Sequence, residues 1–157
     1  MATILIVDDD PDTRDLLGRY LRGVAGHRTL QAADGLEALD LLGTERIDLI
    51  VLDLLMPRMG GAEFLATIRS CPAGLNVPVL VCSALGREGL AAGGDTLPGI
   101  AGILVKGDGF FIDLIEAVTR LAGASSAAMP SPGLGWRSMA DVPPSAYGVP
   151  TPCESNA

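Results

Sequence analysis

A chain of 157 residues that is 48% hydrophobic and 19% charged has the size of one domain and can bury a sizeable core, and it holds no run of 18 apolar residues to span a bilayer. Its net charge of −8, from 19 acidic against 11 basic residues, excludes broad binding to a nucleic-acid backbone, which needs clustered Lys and Arg. The start "MATILIVDDD" lacks the basic flank and cleavage site of a signal peptide, and Cys71, Cys82 and Cys153 show neither metal-type spacing nor a disulfide framework, so a reducing, cytoplasmic location is expected.

Residues 4–7, "ILIV", are apolar throughout and end in acids, which predicts a strand buried on both faces. Asp10 followed by Pro11 reads as a helix N-cap with proline at the first helical position. Leu16, Leu17, Tyr20, Leu21 and Val24 then recur at helical spacing, and Gly26 and His27, the only histidine, close that element as loop residues. "RTLQAA" is a weaker second strand. Asp34 caps "GLEALDLLG", a helix with Leu36, Leu39 and Leu42 on one face. "DLIVLD" predicts a third strand, "GAEFLATIRS" a helix stopped near Pro72, and "VPVLVCS" a fourth strand in which Cys82 is a small buried hydrophobe.

A helix is expected over residues 86–99, but five glycines and a proline occupy the segment, and each glycine costs about 1 kcal/mol against Ala in a helix interior. It is expected to be short and frayed. "AGILVK" is a fifth strand. Asp108 is expected to cap a last helix with Phe111, Leu114, Ile115, Val118 and Leu121 inward. Strands alternating with helices make a (βα)5 α/β domain with a parallel sheet covered on both faces. The domain is expected over residues 1–122. Residues 123–157 hold six of the eleven prolines and only three charged residues, without periodicity, and are expected to be a disordered Pro/Ser/Ala/Gly-rich tail.

In such a sheet, ligands bind beyond the carboxyl ends of the strands, where strand order reverses. The first strand ends in Asp8 and Asp9, the third in Asp53, the fourth in Ser83 and the fifth in Lys106, the only lysine. Three carboxylates, a hydroxyl and an ammonium therefore converge on one edge. Crowded carboxylates repel one another and raise some of their pKa values, and a divalent cation relieves that repulsion. Oxygen donors without His or Cys favour Mg2+ over zinc. A phosphoryl group on Asp53 would meet Mg2+, Lys106 and the Ser83 hydroxyl, the charge neutralisation that phosphoryl transfer requires. Taken singly, each of these residues has an ordinary reading: Asp53 as a turn residue, Lys106 as an exposed lysine. Together, each at a strand end, they point to one site.

The pieces "ILIVDDDP", "AADGLEAL", "DLIVLDLLMPRMGG", "VLVCSA" and "ILVK" make the chain resemble, over about residues 3–122, the receiver domain of two-component response regulators. The resemblance implies the flavodoxin-like strand order 2-1-3-4-5. It also implies roles: Asp53 as phospho-acceptor, Asp8 and Asp9 as the acidic pair that holds Mg2+, the Leu55 carbonyl as a backbone metal ligand, Ser83 as switch hydroxyl and Lys106 as partner of the phosphoryl group. Leu55 and Leu85 match the positions that border the approach of water to the acceptor. The chain departs from the family pattern at Ile103, where an aromatic is frequent, and at Gly107, where a proline often follows the lysine.

The expected function is that of a single-domain response regulator that takes a phosphoryl group from a sensor histidine kinase or a histidine phosphotransfer protein onto Asp53 and switches its contacts with a downstream protein. Activity is expected to stop at this self-catalysed transfer, with no nucleic-acid or membrane partner and a weak homodimer left open. The alternative is a degenerate receiver, an interaction module that works without phosphorylation, which Ile103 and Gly107 favour and the intact acidic site opposes. An aspartyl phosphohydrolase wants a second Asp two positions after the nucleophile, and position 55 is Leu. Flavin binding lacks a Ser- and Thr-rich phosphate loop after the first strand.

Overall fold

The computed structural model describes residues 1–71, 74, 76–84 and 99–125. In chain order these form β1 (Thr3–Val7), α1 (Pro11–Gly23), β2 (Arg28–Ala32), α2 (Gly35–Thr44), β3 (Leu49–Asp53), α3 (Gly61–Arg69), β4 (Val79–Ser83), β5 (Gly102–Val105) and α4 (Phe110–Ser125). Leu85, nearly all of the expected helix over residues 86–99 and residues 126–157 of the expected tail lie outside the described residues. Among the described residues no helix is long and apolar enough to cross a membrane.

The strands form one parallel sheet in the order β2-β1-β3-β4-β5. The chain steps outward from β1 to β2 and then crosses back to β3, so a crevice opens beyond the carboxyl ends of β1 and β3. The inner strands β1, β3 and β4 are buried almost throughout, as their continuous apolar runs demand, whereas the edge strands β2 and β5 are only partly covered.

Alternation along the strands divides the core into two layers. Leu5, Val7, Ile50, Leu52, Val79 and Val81 meet Leu39 and Leu42 of α2 and Phe64, Leu65 and Ile68 of α3. Ile4, Ile6, Leu49, Val51, Leu80 and Cys82 face the opposite way, onto Leu17 and Leu21 of α1 and Leu114 and Val118 of α4. Each such aliphatic side chain contributes about 1.5–3 kcal/mol on burial, and together they fix which strand ends come side by side.

The helices begin where their capping residues place them. The Asp10 side chain accepts from the Asp12 amide at 3.1 Å with Pro11 in the first turn, and Asp34 Oδ1 accepts from the Leu36 and Glu37 amides at 2.9 and 3.0 Å. The expected Asp108 cap is corrected: the Asp113 amide donates to the Gly109 carbonyl, which puts the cap position at Gly109, in a left-handed conformation at φ +81°. The apolar stripes are narrower than the spacing predicts. Leu16 and Tyr20 on α1, Val24 just after it and Leu36 on α2 are exposed, because a helix lying on a sheet buries only the stripe that Leu17 and Leu21, or Ala38, Leu39 and Leu42, define. Tyr20 instead lays its ring against Phe111 of α4, with centroids 4.6 Å apart. On α4, Phe111, Ile115 and Leu121 sit at the margin of the core that Leu114 and Val118 enter.

Candidate functional site

The carboxyl ends of β1 and β3 lie side by side, with Val7 paired to Leu52, so the residues that follow leave the sheet together. Asp8 is 3% exposed and Asp53 is 8% exposed, while Asp9 faces solvent. Carboxylate oxygens of Asp8, Asp9 and Asp53 all lie within 4.8 Å of one another. Lys106 Nζ donates to Asp8 Oδ2 at 2.8 Å and lies 3.7 Å from Asp53 Oδ2. The five strand-end residues of the sequence reading thus gather on one edge, with Ser83 fully buried at the end of β4, one register step beyond Cys82, which pairs with Asp53. The Lys106 amide donates to the Ser83 carbonyl at 2.9 Å and joins the last two strand ends.

The local chain sets these positions. Asp8 takes its own bonds from the turn that starts α1: its Oδ1 accepts from the Asp10 amide at 3.0 Å, and its carbonyl accepts from the Arg14 guanidinium at 2.6 Å. Asp53 Oδ1 accepts from the Leu55 amide at 3.4 Å, so the start of the β3–α3 loop folds back over the acid. The Leu55 side chain is 58% exposed beside it. The loop closes on itself where Gly61 meets β3: its amide donates to the Leu54 carbonyl at 3.1 Å, and a Cβ there would lie 2.4 Å from the Asp53 carbonyl oxygen. Only glycine permits that approach.

The electrostatics follow from burial and charge. Burial pushes the Asp53 carboxyl above the usual carboxylate range, the Lys106 ammonium pulls it back, and the Asp8 charge pushes it up again. For Lys106, burial alone would lower the pKa, but the hydrogen bond to Asp8 and the charges of Asp53 and Asp8 outweigh it and leave the ammonium raised. Burial pushes the neighbouring Cys82 thiol up to about 12, which makes it an inert packing group. Among the described residues Asp8, Asp9 and Asp53 are the group able to hold a metal ion, and their donor set is all oxygen, which fits Mg2+ and not a thiophilic metal.

Two contributors escape the sequence reading. Arg14 is one of ten arginines and nothing in its spacing marks it for the Asp8 carbonyl. Arg58 reaches across from the β3–α3 loop to pair with Asp34 at the start of α2, a contact that no local pattern announces.

A family model described as the response regulator receiver domain matches residues 4–107. The chain is 42% identical over 97 residues to a protein named response regulator MprA of Mycobacterium sp. (strain KMS); the match covers 59% of this chain and 41% of the relative's length. Among solved structures it is similar to the chemotaxis protein CheY4 of Vibrio cholerae, at a TM-score of 0.68 and 30% identity, covering 77% of this chain and 98% of that one. The response regulator protein TrrA of Thermotoga maritima, solved in complex with Mg2+ and BeF, matches at a TM-score of 0.65 and 30% identity over 77% of this chain and 99% of that one.

Proposed function

From the premise that the chain belongs to the response regulator receiver domain family, we propose that it accepts a phosphoryl group on Asp53 in a Mg2+-dependent reaction and thereby switches its contacts with another protein. The observation that carries this reading is the placement of Asp8, Asp9 and Asp53 within one ion's reach, with the Lys106 ammonium 3.7 Å from Asp53. That TrrA has been solved with Mg2+ and BeF supports the same reading by similarity.

In the proposed reaction Asp53 is the nucleophile. A carboxylate oxygen attacks phosphorus, the N–P bond of a phosphohistidine breaks, and the imidazole leaves with the electron pair and takes a proton from solvent. Asp8, Asp9, Asp53 and the Leu55 carbonyl would hold Mg2+, which when bound would supply positive charge against the phosphoryl oxygens. Lys106 brings a second positive charge and donates to a phosphoryl oxygen, and the Ser83 hydroxyl donates to another. Because Asp53 must attack in its ionised form, Lys106 also works before transfer by opposing the burial that raises the Asp53 pKa. The donor is a sensor histidine kinase or a histidine phosphotransfer protein, the setting is the cytoplasm, and the output is a protein target.

The test is incubation with a small-molecule phosphodonor and Mg2+, followed by intact mass. Wild type should gain one phosphoryl group and Asp53→Asn none. Should wild type stay unmodified, the degenerate receiver becomes the better reading.

A further inference from the structure

Asp34 does two jobs with two oxygens. Oδ1 accepts from the Leu36 and Glu37 amides and caps α2. Oδ2 faces the Arg58 guanidinium, and the residue is only 1% exposed, so Arg58 meets a buried charge. Arg58 lies in the loop between the phospho-acceptor and α3 and has a left-handed backbone at φ 64°, which costs an L-residue without a compensating contact. The ion pair with Asp34 is that contact. The next residue, Met59, is buried against Gly35, where a Cβ would come within 2.7 Å of Met59 Cγ. The loop is therefore clamped at its base, by the Gly61 amide on the Leu54 carbonyl, and at its tip, by Arg58 on Asp34 and Met59 on Gly35. Leu55 lies between the clamps.

We propose that Arg58 is a positioning residue for the metal site: its ion pair with Asp34 locks the β3–α3 loop and thereby holds the Leu55 backbone where it serves Asp53 and the ion. The inference rests on the phosphorylation reading above, since Leu55 is a metal ligand only there. Groups that orient metal ligands without touching the ion commonly cost tenfold or more in affinity when removed.

The experiment measures Mg2+ affinity by calorimetry, amide hydrogen exchange at Leu55 and thermal melting, on the full chain. Asparagine tolerates the left-handed conformation, so Arg58→Asn removes the ion pair and not the backbone fit. Asp34→Asn retains an oxygen for the cap and removes the buried charge. Arg58→Asn is expected to bind Mg2+ about tenfold more weakly and to exchange the Leu55 amide faster. The Asp34→Asn/Arg58→Asn double variant should be no weaker than the single variants, as expected for two halves of one contact, and Arg58→Lys should recover part of the affinity. Unchanged Mg2+ affinity in Arg58→Asn overturns the proposal while leaving the phosphorylation reading intact. A weakened affinity that Arg58→Lys does not recover at all, with a matching fall in melting temperature, assigns Arg58 to general stability and also overturns it. Failure of wild type to bind Mg2+ overturns the phosphorylation reading and this inference with it.

Discussion

Lys106 Nζ donates to Asp8 Oδ2 at 2.8 Å, across 98 positions of sequence. The bond ties the end of β5 to the end of β1, two strands that are not neighbours in the sheet, so it spans the crevice above β3 and β4. Asp53 lies under that span, 3.7 Å from the same ammonium. The lysine thus serves two acids, and its removal has separable consequences for stability and chemistry.

Lys106→Met should destabilise the fold by about 1–2 kcal/mol, because Asp8 keeps a buried charge with its cation gone; the figure sits below that for a fully buried pair because Lys106 is partly exposed. Denaturant unfolding at neutral pH measures it. Phosphoryl transfer to Asp53 should fall at least as steeply. A variant that unfolds like wild type would show that Asp8 finds its counter-charge elsewhere.

Asp53→Asn should be more stable than wild type at neutral pH in the presence of a chelator. The folded-state pKa of Asp53 is raised, by burial first and by Asp8 next, with Lys106 opposing. The native state therefore holds its proton more tightly than the unfolded chain, and stability falls as pH rises from the ordinary carboxylate value of 3.8 through the raised folded value. Above that window wild type carries the full cost of a buried charge and Asp53→Asn does not. Melting curves at several pH values should converge near the bottom of the window. If the two proteins melt alike at neutral pH, Asp53 is better solvated than its 8% exposure implies.

Asp9→Ala should abolish both Mg2+ binding and phosphorylation while leaving melting nearly unchanged. Asp9 is the exposed member of the acidic trio, so its loss empties no core and leaves no buried group unpaired. Normal phosphorylation of Asp9→Ala would show that the proposed metal site is wrongly assigned.

Gly61→Ala should cost about 1–3 kcal/mol, since its Cβ would lie 2.4 Å from the Asp53 carbonyl oxygen and 2.6 Å from Leu54 Cα. Neither is a flexible tip that can swing aside. The strain falls on the proposed phospho-acceptor, so phosphorylation should slow together with the loss of stability. Equal stability in wild type and variant would mean that α3 can shift without disturbing β3.

The parts of this molecule that were legible in the sequence are those governed by local pattern. Apolar runs ending in acids mark β1 and β3, Asp10 and Asp34 mark helix starts, and the strand-end rule brings Asp8, Asp9, Asp53, Ser83 and Lys106 to one edge. What spacing could not decide is how wide a stripe each helix buries. Leu16 and Tyr20 have the same spacing as Leu17 and Leu21, yet the first pair is exposed and the second buried, because the sheet covers only one side of α1. Tertiary contacts between loops were equally silent. The Arg58–Asp34 pair joins two turns that sequence separates by a whole helix and a whole strand, and the cap of α4 moved from Asp108 to Gly109 because the glycine adopts a left-handed turn there.

The lifetime of a phosphoryl group on Asp53 is the last expectation. Hydrolysis needs a water in line with phosphorus, and displacing that water by a small distance can cost about a hundredfold in rate. Leu55 follows Asp53 by two residues, donates its amide to Asp53 Oδ1 at 3.4 Å and leaves its side chain 58% exposed at the mouth of the site. A leucine there cannot hydrogen-bond an incoming water and can exclude one. The phosphoryl group should therefore persist longer than in receivers with a polar residue at the matching position, and Leu55→Asn should shorten its life. The amide that touches Asp53 is backbone and survives the substitution, so Mg2+ affinity should stay as in wild type and separate a water effect from a metal effect. Decay followed by intact mass after removal of the phosphodonor gives the answer, and equal decay in both proteins would show that water reaches phosphorus by a path Leu55 does not guard.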